Sequence, residues 1–173
     1  MTPRLRKLAL TAHVTSSVGW LGAVISFLAL AVVGLTSQDS QLVQAAYVVM
    51  EVTGWFVIVP LSIASLLTGL VQSLGTEWGL FRHYWVVMKL LLTILATVVL
   101  LAHMQPIGDI ADAASTSTLS ASELHGPRLQ LLADAGAAVV VLFVATTLAV
   151  YKPKGLTRYG RRKQQRRGRL SQS

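Results

Sequence analysis

Apolar residues in this chain fall into four long runs separated by short polar stretches. The runs extend from about Leu8 to Leu35, Ala45 to Ser73, Tyr84 to His103 and Pro127 to Tyr151. About 20 apolar residues rising ~1.5 Å each cross a ~30 Å hydrocarbon layer. Lipid offers the backbone no hydrogen bonds, so runs of this length without strand alternation predict helices. The pattern therefore predicts an all-α, integral membrane four-helix bundle over 1–151, followed by a tail over 152–173.

Prolines and small residues refine this outline. Pro60 falls in the middle of helix two, where its missing N–H and its ring predict a kink and free a carbonyl one turn earlier. Ser62 and Ser65 stand beside it, placed to compensate. Pro127 suits the first turn of helix four. In helix one, Gly22, Ser26 and Ala29 form one stripe of small residues, and Thr15, Gly19 and Ala23 form another. Such stripes let helix backbones approach closely in lipid. Tight packing within the bundle and a homodimer through the second stripe both fit that spacing. The segment DIADAASTSTLSASELHG between helices three and four reads as a short amphipathic helix or a mobile loop.

Charge sets the expected orientation. The net charge of +8 sits in the tail: nine of the fifteen Lys and Arg lie beyond Tyr151, and the body carries six against seven acidic residues. Arg4, Arg6 and Lys7 precede helix one, and Arg82 precedes helix three with Lys89 just inside it. The connections at 36–44 and 105–126 carry no Lys or Arg. Both termini are therefore expected in the cytoplasm, with the protein multi-pass in a bacterial inner (cell) membrane. The tail reads as a topological anchor, with anionic lipid as a contact and no nucleic-acid partner. Helix one exceeds the 7–15 apolar residues of a signal peptide and no A-x-A site follows, so it is read as a retained helix. The chain has no cysteine, which removes disulfides and thiolate ligands from consideration. It also lacks a Gly-rich phosphate loop, an H-E-x-x-H motif and a Ser nucleophile elbow.

The informative residues are the polar ones inside the runs. His13 and Lys89 each stand about five residues inside an apolar run, roughly 7 Å below the cytoplasmic surface. Ionisable groups at such depth are costly and mark functional sites by default. At ~100° per residue, His13, Ser17 and Trp20 share one face of helix one. Lys89, Thr93, Thr97 and His103 share a face of helix three, and Glu51, Ser62, Ser65, Gly69 and Ser73 a face of helix two. Depth sorts these residues into two layers. The inner layer holds His13, Lys89, Thr68, Thr146 and Thr147, with Trp20 beside it as a cofactor-pocket residue. The outer layer holds Glu51, His103 and Asp134, with Arg128 and His125 just beyond. His103 lies roughly 21 Å along the axis from Lys89, so the layers are separate sites. Two carboxylates and an imidazole suit a divalent cation if His103, Glu51 and Asp134 converge; Asp134 paired with Arg128 or His103 is the structural alternative. In the inner layer, Lys89 reaching to the interface and His13 packed as a neutral residue stand against a functional pocket.

Three segments carry a family resemblance. AHVTSSVGWLGAVISFLAL in helix one resembles the H-x6-W-x-G opening of a group of small bacterial membrane proteins. That group includes the copper-resistance D family, uncharacterised integral membrane families and the membrane protoporphyrinogen oxidase family. YWVVMKLLLTILATVVLLAH is similar to the W-x3-K-L segment of the oxidase family, and VPLSIASLLTGL to its Pro-containing segment. The charged loop that follows helix one in that family is replaced here by LTSQDSQLVQAAYVVME. The resemblance implies a shared four-helix scaffold more strongly than a shared reaction. It implies haem b as cofactor and makes the residues at His13 and Lys89 the key polar pair.

Three functional readings follow: haem or porphyrin binding with a redox role in a His13/Lys89 pocket, a non-enzymatic structural or assembly subunit, and copper or proton transport. The topology common to all three is testable in this naturally Cys-free chain. A cysteine introduced at Thr116 should react with an impermeant reagent added to intact cells, and one at Ser171 only after lysis. The reverse pattern would invert the orientation.

Overall fold

The computed structural model of the chain describes residues 2–75, 83–116, 121–151, 155, 157 and 160–162. Most of the basic tail and the side chain of His125 lie outside the described residues. Four helices cross the molecule: α1 (Pro3–Thr36), α2 (Ser40–Gly75), α3 (Tyr84–Thr116) and α4 (Ala121–Tyr151). Each contains a stretch long and apolar enough to span a membrane. Thr2 caps α1 by accepting from Leu5 N–H, with Pro3 in the first turn where its missing N–H costs nothing. Asp39 caps α2 by accepting from the N–H groups of Gln41 (2.9 Å) and Leu42 (3.4 Å). Only Ser37–Asp39 separate the two helices, so α1 and α2 must run antiparallel as neighbours.

The helices form a ring in which α1 packs on α2 and α4, and α3 packs on the same two. Pairs α1/α3 and α2/α4 stand diagonally. Trp20, Val24, Phe27 and Ala31 form the buried stripe of α1, at the i, i+4, i+7, i+11 spacing that keeps one face inward. Against it lie Val43, Tyr47, Met50 and Ile58 of α2, Met104 of α3, and Leu131, Ala135 and Leu142 of α4. Glycines set two close approaches. A Cβ at Gly34 would lie 2.7 Å from Cζ of the buried Tyr47, and one at Gly54 would lie 2.7 Å from Cε of Met104. Gly19, expected in a small-residue stripe, faces Leu61 across the α1–α2 contact.

The distortion expected at Pro60 takes the form of a π turn just before it. Residues Gly54–Ile58 are π-helical, and Val59 N–H bonds to Gly54 O. Pro60 cannot donate to the carbonyl one turn earlier, and the wider turn accommodates the gap. Ser62 Oγ then donates to Val59 O at 2.8 Å. A π turn takes up one more residue than an α turn, which corrects the face read from regular 3.6 periodicity. Glu51 does not continue the line of Ser62 and Ser65; the buried line runs Met50, Gly54, Ile58, Ser62, Ser65, and Glu51 is left half-buried.

The helices also outrun their apolar segments. α3 continues from His103 to Thr116, and α4 starts at Ala121, so much of the expected outer connection is helical. Pro127 consequently lies inside α4 rather than in its first turn, because helix former residues precede it.

The Gly34 contact yields a stability test. Gly34→Ala should lower the melting temperature in detergent, because overpacking against the Tyr47 ring costs about 1–3 kcal/mol. Gly22→Ala, on a face with nothing within 4 Å, should leave it unchanged or slightly raised. Equal melting of the two variants would contradict the packing.

Candidate functional site

At the end of the bundle where α1 and α3 begin and α4 finishes, the four helices separate around a cavity of 710 Å³. That lies within the roughly 300–1,000 Å³ typical of sites that enclose a small molecule or cofactor. His13, Ser17, Trp20, Ser65, Gly69, Gln72, Trp85, Lys89 and Thr93 line it, together with apolar side chains such as Leu10, Leu66, Leu90 and Leu142. Arg6, two turns before His13 on α1, stands at its outer rim, and none of the described lining residues is acidic. The structure thus gathers His13, Lys89 and Trp20, from two helices, around one space.

His13 is held by α2. Its Nδ1 lies 3.1 Å from Ser65 O and 3.1 Å from Thr68 Oγ1. A carbonyl oxygen only accepts, so Nδ1 carries the hydrogen. Thr68 uses its own proton to donate to Ala64 O at 2.6 Å, which leaves its oxygen as a second acceptor for the same ring N–H. In the neutral ring the lone pair then lies at Nε2, on a ring that lines the cavity. A neutral imidazole whose other N–H is bonded to a carbonyl is the arrangement found in metal-ligating histidines. Gly69 makes room for the ring: a Cβ there would lie 3.1 Å from His13 Cε1. Ser17 Oγ and Ser65 Oγ, 2.7 Å apart, add a second polar tie one turn along. Lys89 Nζ stands 5.9 Å from the centroid of the Trp85 ring, a cation–π distance.

Among the charged, amide and aromatic lining residues, Arg6, Gln72 and Trp85 are not site residues in the sequence reading. Gln72 offered a signal, as a lone amide in an apolar run at i+4 from Thr68 and i+3 from Gly69. Its Nε2 is buried and has no hydrogen-bond partner among the described residues.

The opposite end holds a different arrangement. His103 Nδ1 lies 2.8 Å from Val99 O, one turn back on α3. Its Nε2 is 2.9 Å from Asp134 Oδ2, an ion-pair distance without hydrogen-bond directionality, and 3.5 Å from Gln130 Nε2. Glu51 does not join them as a third ligand. Its Oε1 would lie 3.4 Å from a Cβ at Gly108, beyond His103 on α3, and among the described residues no three His, Asp or Glu are grouped closely enough to hold a metal ion. The π turn explains the offset, because it rotates the first half of α2 relative to the second. Arg128 covers the Tyr47 ring, 5.2 Å from its centroid, rather than meeting Asp134.

Comparison with family models, with curated proteins and with solved structures gives no match for this chain, so the geometry of the two ends is what a functional reading has to rest on.

Proposed function

We propose that the cavity binds haem b or a related porphyrin and that the protein serves a redox role in a bacterial inner membrane, with both termini cytoplasmic. The observation that carries this reading is His13: its Nδ1–H is committed to Ser65 O and Thr68 Oγ1, and its ring lines a large cavity with no acidic residue among the described lining residues. Nε2 would be the nitrogen that holds the iron, as such sites ordinarily use. Lys89 supplies a cation for a propionate, and the apolar walls with Trp20 exclude water from the planar face. Two features support the fit: an imidazole whose Nδ1 is committed to acceptors on α2, and a Lys89 cation among apolar walls of the same cavity. A haem bound here would supply one-electron redox chemistry. His13 and Lys89 would hold it, and the apolar walls would shield it from water.

An absorption spectrum of the purified protein, before and after addition of haem, tests the reading. A Soret band that moves on dithionite addition is expected. His13→Ala should abolish the axial signature, and Lys89→Ala should weaken haem binding by about tenfold, consistent with loss of one charge-assisted hydrogen bond. A wild-type protein that carries no chromophore, takes up no added haem, and melts like both variants would overturn it in favour of a structural subunit.

A further inference from the structure

We infer that Arg6 and Gln72 form a second carboxylate subsite at the cavity rim, distinct from Lys89, so that the cavity selects a planar ligand bearing two carboxylates. This rests on the proposed porphyrin reading for the identity of the planar body, but not on iron ligation by His13.

The inference starts from an unsatisfied donor. Gln72 Nε2 is buried and finds no acceptor among the described residues, although its residue lines the cavity. Buried amide N–H groups without a partner are rare in folded proteins, and each calls for an acceptor supplied from elsewhere. The surroundings define which acceptor. Gln72 stands one helical turn beyond Thr68, on the rim side of the His13 contact. Arg6 stands two turns before His13, roughly 10 Å along α1 towards the same rim. α1 and α2 are ring neighbours, so the guanidinium and the amide belong to one side of the cavity. A guanidinium presents parallel N–H donors in the geometry of a carboxylate, and the amide adds a third donor. None of the described lining residues is acidic.

Lys89 belongs to α3, the diagonal partner of α1, and lies beside Trp85. The cavity therefore carries two cationic positions on opposite helices, above walls of Trp20, Leu66, Leu90 and Leu142. A ligand with a single carboxylate, such as a fatty acid, engages one of them. A flat apolar body with two carboxylates on one edge engages both, and it also gives the Gln72 amide its acceptor.

Metal-free porphyrin dicarboxylate and its dimethyl ester are the probes, read by porphyrin fluorescence on the full-length protein in detergent. The dicarboxylate should bind at least about tenfold more tightly than the diester, a ratio equivalent to ~1.4 kcal/mol. Arg6→Gln and Gln72→Leu should each weaken dicarboxylate binding by a similar factor and leave diester binding unchanged. Arg6→Lys should recover part of the loss. Palmitate should compete poorly. Gly22→Ala, on a face with nothing within 4 Å, should leave both affinities unchanged. If haem gives its redox-sensitive spectrum while Arg6 and Gln72 variants bind the dicarboxylate like wild type, the subsite is wrong and the porphyrin reading stands. If the dicarboxylate preference depends on Arg6 and Gln72 but haem shows no axial ligand, the subsite stands and His13 ligation falls. Equal losses for dicarboxylate and diester would mean that the substitutions only disturb packing, and would also overturn the subsite.

Discussion

Inside a bilayer a polar group that is not bonded within its own protein has no water to turn to, and this constraint organises the molecule. Most hydroxyls of the spanning helices meet it locally. Thr11, Ser26, Thr36, Thr93, Thr97, Thr146 and Thr147 each donate to the carbonyl four residues back. Such bonds need no neighbouring helix, so they do not fix how the bundle is assembled. Polar contacts between helices are concentrated at two places. His13 and Ser17 of α1 meet Ser65 and Thr68 of α2 at one end, and His103 of α3 meets Asp134 and Gln130 of α4 at the other. Between them the core is apolar, built on Trp20, Val24, Phe27, Ile58 and Leu142.

The π turn before Pro60 connects these facts. By absorbing one residue it lets two halves of α2 turn different faces inward. The first half buries Met50 and packs Tyr47 on Gly34, and Gly54 at the turn takes Met104. The second half brings Ser65, Thr68 and Gly69 to His13. A regular helix would have carried Glu51 onto the same line as the serines. π turns are often found where a helix serves a site, and here the distortion sets which residues reach the cavity.

The two ends differ in chemical character. The cavity end gathers Arg6, Lys89 and a neutral imidazole, and no acidic residue lines it among those described. It suits an anionic, flat, largely apolar ligand. The other end holds an imidazole beside a carboxylate, with a half-buried Glu51 and an arginine stacked on tyrosine. That end is closely packed, with the buried Met104 seated on Gly54 and Tyr47 on Gly34. A cavity at one end and a polar clasp over a close-packed core at the other are what distinguish the two ends.

The helical class, the four spans and the pairing of His13 with Lys89 around one space were legible in the residues. Depth follows from a fixed rise per residue and direction from a fixed turn angle, so a polar residue in an apolar run can be placed without knowing its neighbours. Trp20 and Ser17 were placed by the same arithmetic. Where the helix departs from regularity the arithmetic fails, and Glu51 is the example: one residue absorbed ahead of Pro60 moves everything upstream by about 100°. Pro127 was misplaced for a related reason, since an apolar run marks the span and not the helix, which continues through polar residues at either end of the outer connection. The contact partners were beyond the sequence altogether. That His13 gives its Nδ1–H to Ser65 O, that His103 meets Asp134 while Glu51 faces Gly108, and that Gln72 is left with an unused donor each depend on how far apart two helices stand and how they are rotated. Close packing at Gly34, Gly54 and Gly69 sets those distances, and only the assembled bundle brings the residues on either side of them together.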